Sequence, residues 1–282
     1  MPRLLQQFLF LFLAILSFAT TACADEFAMC GSDAPDEYSS CEKPKISHPH
    51  NQFYIAPELY HVKRTKVGGS EQTGVLYGGQ IGYDRFKRYG WYVGFEGLYA
   101  TGHLKGYSGK KERIKSDLSD AYAEGRFGYT FQQKCGYHAR FTPYLGGGYF
   151  RERNNFKNPS PVPAHFNTHY WYAAVGFLSQ ASLTPRYDLG LNFKAKFIYD
   201  PRCKVTHDPK SDNFTQLINE KVHYRVEVPL TYHYWEGSDK LMFSLVPFYE
   251  YRRYGFRVNF PADFIDTRFN LYGAFLKVIY SI

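Results

Sequence analysis

Histidine and cysteine side chains in the second half of the chain have spacings that could hold a metal ion. His165 and His169 are four positions apart, and Cys203 and His207 repeat that spacing. Four such ligands would suit Zn²⁺. This spacing places two ligands side by side only on a helix, whereas the pattern around residues 165–169 leads into a predicted strand. We therefore predict no metal site and no cofactor.

Hydroxyl and imidazole side chains could support hydrolysis, with a serine as nucleophile and a histidine as its base. Ser116, Ser119, His103 and His169 are the candidates, but no motif ties them together. The H-E-x-x-H pattern of metalloproteases is absent. We assign no catalytic residue, and a hydrolase stays as the alternative to a non-enzymatic protein.

These candidate residues belong to a chain that is predicted to be exported. Arg3 precedes the apolar run 8–19, and Ala22-Cys23-Ala24 matches an A-x-A cleavage site. The run is too short to cross a bilayer as a helix. We therefore assign residues 1–24 to a signal peptide. A lipoprotein acylated at Cys23 is the alternative.

Residues 25–50 are polar and acidic, and they predict a periplasmic tail. Export permits oxidation of the remaining cysteines, which are Cys30, Cys41, Cys135 and Cys203. Cys30 and Cys41 lie in the same tail and are the candidate disulfide. The pairing does not follow from sequence alone.

Residues 51–282 alternate between apolar and polar side chains, which predicts strands with one face of each kind. The clearest case is 187–199, where Tyr187, Leu189 and Leu191 begin one face while Asp188 and Gly190 begin the other. Aromatic residues make up 19% of the chain, and Tyr and Phe favour strands. Ten segments follow this pattern: 52–62, 74–85, 91–99, 121–131, 141–149, 171–177, 187–199, 222–234, 241–251 and 269–281.

Charged residues on the polar faces indicate which face meets lipid. A Lys or Arg on the lipid face near the bilayer midplane costs about 2–4 kcal/mol. Several such costs would approach the whole stability of a typical domain, about 5–15 kcal/mol. These charges are therefore predicted to line the inside of a transmembrane antiparallel barrel of about ten strands, with eight or twelve as alternatives. They are Glu96, Glu124, Arg126, Arg140, Lys194, Lys196, Arg225, Glu227, Glu250 and Arg252.

The lengths of the links support the same fold. Short links are predicted near 87–89, 132–136, 184–186 and 236–239, and long links near 63–73, 102–117, 152–167, 200–220 and 254–268. Membrane barrels have short periplasmic turns and long external loops. An even number of strands places both termini in the periplasm. Cys203 is then expected on the external side, away from the other three cysteines.

The C-terminus resembles the terminal strand signal of bacterial outer-membrane barrels. Apolar residues occupy the last position and every second one before it: Ile282, Tyr280, Val278, Leu276, Ala274 and Tyr272. The final residue is Ile282, where that family usually has Phe or Trp. The resemblance implies an outer-membrane location and recognition by the barrel assembly machinery.

Ten strands also resemble the omptin outer-membrane proteases, which use a close aspartate pair and an Asp-His pair at the external rim. Asp117 and Asp120 are three apart, and His207-Asp208 has the reverse order, so that motif does not carry over. We expect a structural, surface-interaction or narrow-pore role. A protease or lipid A-modifying hydrolase with a site at the external rim is the alternative.

The predicted external loops are rich in cations, which bind phosphate well. Lipopolysaccharide phosphates are therefore a candidate partner, together with outer-membrane lipid, and loops whose cations are only solvated are the alternative. The formal net charge of +8 is spread over loops of an exported chain, so we expect no nucleic-acid binding. The candidate contacts are Lys105, Lys110, Lys111, Arg113, Lys115, Arg253 and Arg257.

Overall fold

A computed structural model of the chain describes residues 51–87, 89–132, 139–161, 163–209, 211–235 and 238–282. The predicted signal peptide and tail lie outside these residues, as do Cys30, Cys41 and Cys135. Within the described ranges, no helix is long and apolar enough to cross a membrane.

The described chain is built of antiparallel strands. They are β1 (Asn51–Lys66), β2 (Ser70–Arg85), β3 (Gly90–Tyr107), β4 (Arg113–Gln132), β5 (Ala139–Lys157), β6 (His165–Thr184), β7 (Tyr187–Thr206), β8 (Phe214–Leu217), β9 (Val222–Glu227), β10 (Leu230–Trp235), β11 (Ser238–Tyr254) and β12 (Thr267–Ser281).

Strands β8, β9 and β10 together form one strand of the barrel wall. All three pair with β7 in a single continuous register, from Val205↔Phe214 to Leu189↔Leu230. At the break before β10, Pro229 cannot donate a hydrogen bond, but its carbonyl accepts one from Gly190 at 2.8 Å. The described wall is therefore ten strands, as predicted.

The wall is closed, because β1 pairs with both β2 and β12. Closure leaves no unpaired edge, which is what a sheet inside lipid requires. The nitrogen of Ile282 donates to the oxygen of Asn51 at 3.0 Å, so both ends of the barrel chain meet at one end of the barrel. We call this the termini end and the opposite one the loop end.

The outer surface carries three bands of exposed side chains. Aromatic residues near the termini end include Phe53, Trp91, Phe131, Phe141, Tyr187, Tyr234 and Tyr280. A middle band includes Ile55, Leu59, Ile81, Phe95, Phe127, Leu145, Val175, Phe197, Leu245 and Leu276. Aromatic residues toward the loop end include Tyr77, Tyr99, Trp171, Tyr199 and Tyr272. Two aromatic girdles around an apolar band are the outer surface of a membrane barrel.

The interior is filled by tyrosines and charged residues, and toward the loop end also by apolar side chains such as Val62, Leu104 and Leu118. Among the described residues, eight tyrosines are buried: Tyr54, Tyr60, Tyr92, Tyr122, Tyr144, Tyr170, Tyr172 and Tyr254. Several of their hydroxyls donate to buried carboxylates, for example Tyr122 to Glu96 at 2.5 Å and Tyr60 to Asp120 at 3.1 Å. From composition alone, tyrosine is expected in strands and at membrane interfaces. In the structure, tyrosine side chains also fill the lumen.

The strands at the loop end are longer than the alternation of apolar residues predicts. The prediction of a long link at 63–73 is wrong, because β1 and β2 are joined by the three-residue turn 67–69. The other loop-end links shorten to 108–112, 158–164, 207–213 and 255–266. Beyond the lipid the pattern is inverted: apolar side chains such as Leu104 and Leu118 are buried inside, while polar ones such as Lys105 and Asp117 face outward. The outward apolar alternation therefore stops there, while the backbone pairing continues.

We expect Leu145→Arg to destabilise the barrel by about 2–4 kcal/mol, because Leu145 lies midway between the outward-facing Phe141 and Tyr149 on β5. The free energy of unfolding from lipid vesicles in guanidinium chloride measures the effect. Asn155→Arg on the same strand and face, beyond Tyr149, is the matched control and should cost about 0–1 kcal/mol. Equal costs at the two positions would contradict the assigned membrane band.

Candidate functional site

The lumen contains a first group of buried charges contributed by three strands. Glu96 on β3 and Glu124 on β4 face Arg126 on β4 and Lys194 on β7. Lys194 Nζ lies 2.6 Å from Glu124 Oε1 and 3.4 Å from Glu96 Oε1. Arg126 pairs with both carboxylates, and its Nε lies 2.7 Å from Glu124 Oε1. Each charge therefore has opposite charges as immediate neighbours.

A second group is centred on Glu250, whose side chain is 1% exposed. Its Oε1 accepts from Lys196 Nζ at 3.1 Å and from Arg252 Nε at 2.9 Å, while its Oε2 accepts from Arg225 Nη1 at 3.0 Å. The group extends further through Arg225 to Glu227, at 2.7 Å, and through Arg252 to Asp120, at 2.6 Å. It spans the lumen from β4 to β11.

Nearer the termini end, Arg140 donates to Gln180 at 2.5 Å, and Gln180 donates to Asp188 at 2.5 Å. His233 Nε2 lies 2.8 Å from the same Asp188 carboxylate. The guanidinium of Arg140 also stacks 3.7 Å from the ring centre of Phe86. Together these side chains form a layer across the lumen near the link between β6 and β7.

The structure thus places all ten predicted lumen charges inside the barrel wall and connects them to partners. Sequence reasoning missed Glu58, Asp120 and Glu152, which are also buried inside. A cavity beside Lys194, Arg225 and Glu227 has a volume of only about 10 Å³, roughly the space for one water molecule. The packed side chains therefore block the described part of the lumen, which resembles a plugged barrel more than an open channel.

A row of three lysines crosses the outer surface at the loop end. Lys105 on β3 is the register partner of Lys115 on β4, and Lys115 is the register partner of Lys157 on β5. All three side chains face outward, beyond the exposed ring of Tyr99. Lys157 was missed because the sequence places it in a loop. We call these residues the lysine row.

One carboxylate adjoins the lysine row. Asp117 contacts Lys157, and its Oδ1 lies 2.7 Å from Nδ1 of His103. Although partial burial opposes ionisation, hydrogen bonds from Lys157 and His103 hold the pKa of Asp117 below its ordinary value. One negative charge thus lies beside Lys157 of the lysine row and His103.

The other predicted phosphate contacts are scattered around the rim. Lys110, Lys111 and Arg113 are exposed at the β3–β4 turn. Arg253 is held by Asp266, with Nη2 to Oδ2 at 2.7 Å, and these hydrogen bonds raise the pKa of Arg253. Arg257 lies in the link between β11 and β12, whereas the lysine row is on β3, β4 and β5.

Arg257 lines a separate cleft of about 600 Å³. The cleft lies where barrel pairing is interrupted between β8 and β9, and its other charged residues are Asp200, Arg202, Glu220 and Lys221. Asp200 and Arg202 pair with each other at 2.9 Å, which leaves a mixed and nearly balanced surface.

The four candidate zinc ligands are not assembled. The rings of His165 and His207 lie 4.4 Å apart at the external surface, where partial burial and the neighbouring His207 lower the pKa of His165. Cys203 is buried, whereas His169 faces outward. In the described part of the chain, no group of three or more His, Cys, Asp or Glu side chains could hold a metal ion.

The candidate hydrolytic residues are only partly brought together. His103 and Ser119 face outward on neighbouring strands, while Ser116 is fully buried inside. Asp117 and Asp120 point to opposite faces of β4, so they cannot form the close aspartate pair of the omptins. Among the described residues, Asp117 is the hydrogen-bond partner of His103, and no serine hydroxyl is.

Comparison with known proteins places this geometry in a fold class. The outer-membrane protease OmpT of Escherichia coli has a similar structure, with a TM-score of 0.54 over 83% of this chain and 98% of that chain at 10% sequence identity. The chain has the fold of bacterial outer-membrane β-barrels. The predicted fold class is confirmed, and the predicted outer-membrane location is confirmed at the level of the fold.

Two further matches are weaker. The translocator domain of the autotransporter NalP from Neisseria meningitidis has a TM-score of 0.48, at 8% identity over 85% of this chain and 91% of that chain. The transport unit of the autotransporter AIDA-I from Escherichia coli has 0.44, at 10% identity over 92% and 97%. No protein-family model and no curated protein sequence matches the chain.

We expect Glu250→Gln to lower the free energy of unfolding by about 3–5 kcal/mol, because it leaves three buried cations without their shared carboxylate. Urea unfolding of the barrel in vesicles, followed by tryptophan fluorescence, measures this change. Glu71→Gln is the control, since Glu71 pairs with Lys63 at the exposed surface at 3.0 Å. Its expected cost is about 0–1 kcal/mol, and a similar loss at both sites would argue against the network.

Proposed function

We propose that the protein is a non-conducting outer-membrane barrel whose external rim binds phosphorylated lipid of the outer leaflet, with lipopolysaccharide as its partner. The observation that supports this proposal is the lysine row, in which three like charges are direct neighbours on adjacent strands. Like charges directly opposite in a sheet repel. A bound phosphate between them would turn that repulsion into attraction.

The position of the lysine row also suits a lipid partner. The row lies beyond the aromatic residues Tyr99, Tyr149 and Trp171 on the outward face. Aromatic girdles lie at the level of the headgroups. The lysines lie beyond that level on the outward face, where they would meet phosphates that project from outer-leaflet lipid, and they do not face the lumen.

A structural or surface role fits the closed interior better than transport does. The charge groups around Glu96 and Glu250 occupy the lumen, so the loops and rim are the surfaces left to interact. The alternation that ends at Ile282 supports recognition by the barrel assembly machinery during insertion.

We expect the folded protein to show no steady conductance in planar bilayers, because its lumen is filled by ion-paired side chains. A general porin measured in the same bilayers is the positive control for insertion conditions. Insertion of this protein is checked separately by faster migration of the unheated sample on a detergent gel. Reproducible, stable current steps would contradict the non-conducting part of the proposal.

Replacing Lys105, Lys115 and Lys157 together by Gln should weaken lipid A binding about a hundredfold, from about 1 kcal/mol for each cation near an anionic surface. Binding of purified barrel to immobilised lipid A, with and without its phosphates, measures the loss. The control replaces three exposed cations at the termini end, Arg85, Lys87 and Lys240, by Gln. Equal losses in both triple variants would contradict a localised phosphate site.

A hydrolase acting on lipid is the second candidate, and the His103–Asp117 hydrogen bond beside outward-facing Ser119 favours it. The lipid A recovered from the binding assay distinguishes the two functions. Under the main proposal its mass is unchanged. Release of a fatty acid that disappears in His103→Gln would support the hydrolase instead.

A further inference from the structure

Two cations at the loop end of β1 lie inside the barrel without an acidic partner. Arg64 is 6% exposed, and Lys66 is the next inward position of the same strand. No carboxylate of the described residues lies within 4.0 Å of either side chain, in contrast to Lys194 and Arg252 deeper in the lumen. An unpaired buried cation is costly, so this arrangement calls for an explanation.

The surroundings of the two cations are mainly aromatic. The guanidinium of Arg64 lies 5.7 Å from the ring centre of Phe156 and 5.6 Å from that of Phe269. The ammonium of Lys66 lies 5.3 Å from the ring centre of Phe166. The hydrogen bond of Arg64 goes to a neutral side chain, Gln72, at 2.6 Å. The positive charge is thus shielded by rings but not neutralised.

Asn154 lies next to these rings and has an amide without partners. It is 1% exposed, and within the described residues neither its nitrogen nor its oxygen makes a hydrogen bond. It is the register partner of Phe166, and it is two positions from Phe156 on β5. A buried amide without partners is independent evidence for a polar ligand at this place.

The nearby acids do not cancel the excess positive charge. Glu152 is buried in the same part of the lumen and accepts a hydrogen bond from the hydroxyl of Tyr254 at 3.1 Å. Asp120 is already bound by Arg252 at 2.6 Å. Two cations therefore face one carboxylate that contacts neither of them.

The site can be reached from the loop end. Lys66 is partly exposed and is followed directly by the turn 67–69. The nitrogen of Val67 donates to the oxygen of Asp266 at 3.0 Å, which anchors this turn beside the last loop. The exposed part of Lys66 is therefore at the loop end, and this is the end from which a soluble ligand would enter.

We propose that Arg64, Lys66 and Asn154 form a binding site for a small soluble oxyanion, a carboxylate or a phosphate, that enters the external mouth of the barrel. The planar guanidinium offers paired N–H donors to such an anion, the ammonium adds a mobile point charge, and the Asn154 amide supplies a further donor. This site is inside the barrel and is separate from the lysine row on the outer surface.

The test uses the full chain folded in detergent micelles and titrated with inorganic phosphate or acetate, at an ionic strength held constant with chloride. Isothermal calorimetry should show saturable binding of one anion. The midpoint of thermal unfolding should rise with phosphate concentration, because the ligand binds only the folded barrel. Binding of phosphate or acetate that is not saturable, or no stabilisation beyond that given by chloride, would overturn the proposal.

Three variants locate the site. Arg64→Gln, Lys66→Met and Asn154→Leu should each weaken anion binding, by about tenfold or more for the two cations. Lys63→Met is the matched control, since Lys63 faces outward on the same strand and pairs with Glu71. Lys66→Met and Asn154→Leu decide the outcome if Arg64→Gln does not fold. Unchanged affinity in both would refute the site.

A competition experiment with lipid A distinguishes a soluble anion from a lipid headgroup as the ligand of this site. Lipid A in the micelles should leave the phosphate affinity unchanged, because the lysine row faces the lipid and this site does not. Competition between lipid A and phosphate that Lys66→Met removes would overturn the soluble-anion proposal and assign the site to a headgroup. This result is independent of whether the lysine row binds lipid.

Discussion

Deep inside this barrel, buried charges are tolerated because side chains from different strands bring opposite charges into contact. Glu250 illustrates the constraint, since its single carboxylate is shared by Lys196, Arg225 and Arg252 from β7, β9 and β11. Removing such charges from water costs several kcal/mol for each ion, and only close partners offset that cost. The ion-paired residues therefore have to lie at the same level along the barrel axis. The register of backbone pairing between neighbouring strands places them there.

The same constraint orients the outer surface. Where a strand crosses the lipid, its charged face points into the lumen, and the period of two therefore turns the residues between these charges outward. Leu145, at 67% exposure, would be misplaced on a soluble protein. In lipid it contributes to a continuous apolar band between two aromatic girdles. Interior ion pairs and exterior apolar side chains are thus two consequences of one alternating pattern.

The loop end is built differently, because its outward face meets water instead of lipid. The paired strands continue beyond the aromatic girdle with polar residues facing outward, and inside they bury apolar side chains such as Leu104 and Leu118 together with a few polar ones. The lysine row on the outside and the pair Arg64 and Lys66 on the inside both belong to this region. Their cations are not balanced as those of the deeper lumen are. The part of the molecule that contacts its environment is therefore also the part with excess positive charge.

The sequence by itself determined the fold class and the face to which each of Glu96, Lys194 and Arg225 belongs, and it favoured ten barrel strands over eight or twelve. Alternation is local, so single strands reveal it without knowledge of their neighbours. Asp120, Glu152 and Lys157 were assigned to loops or left without a role, because the alternation changes phase toward the loop end, where apolar residues such as Leu104 and Leu118 point inward. Only the tertiary structure decided which charges meet, since contacts such as Arg252 with Asp120 join strands that are distant in the chain and opposite in the barrel.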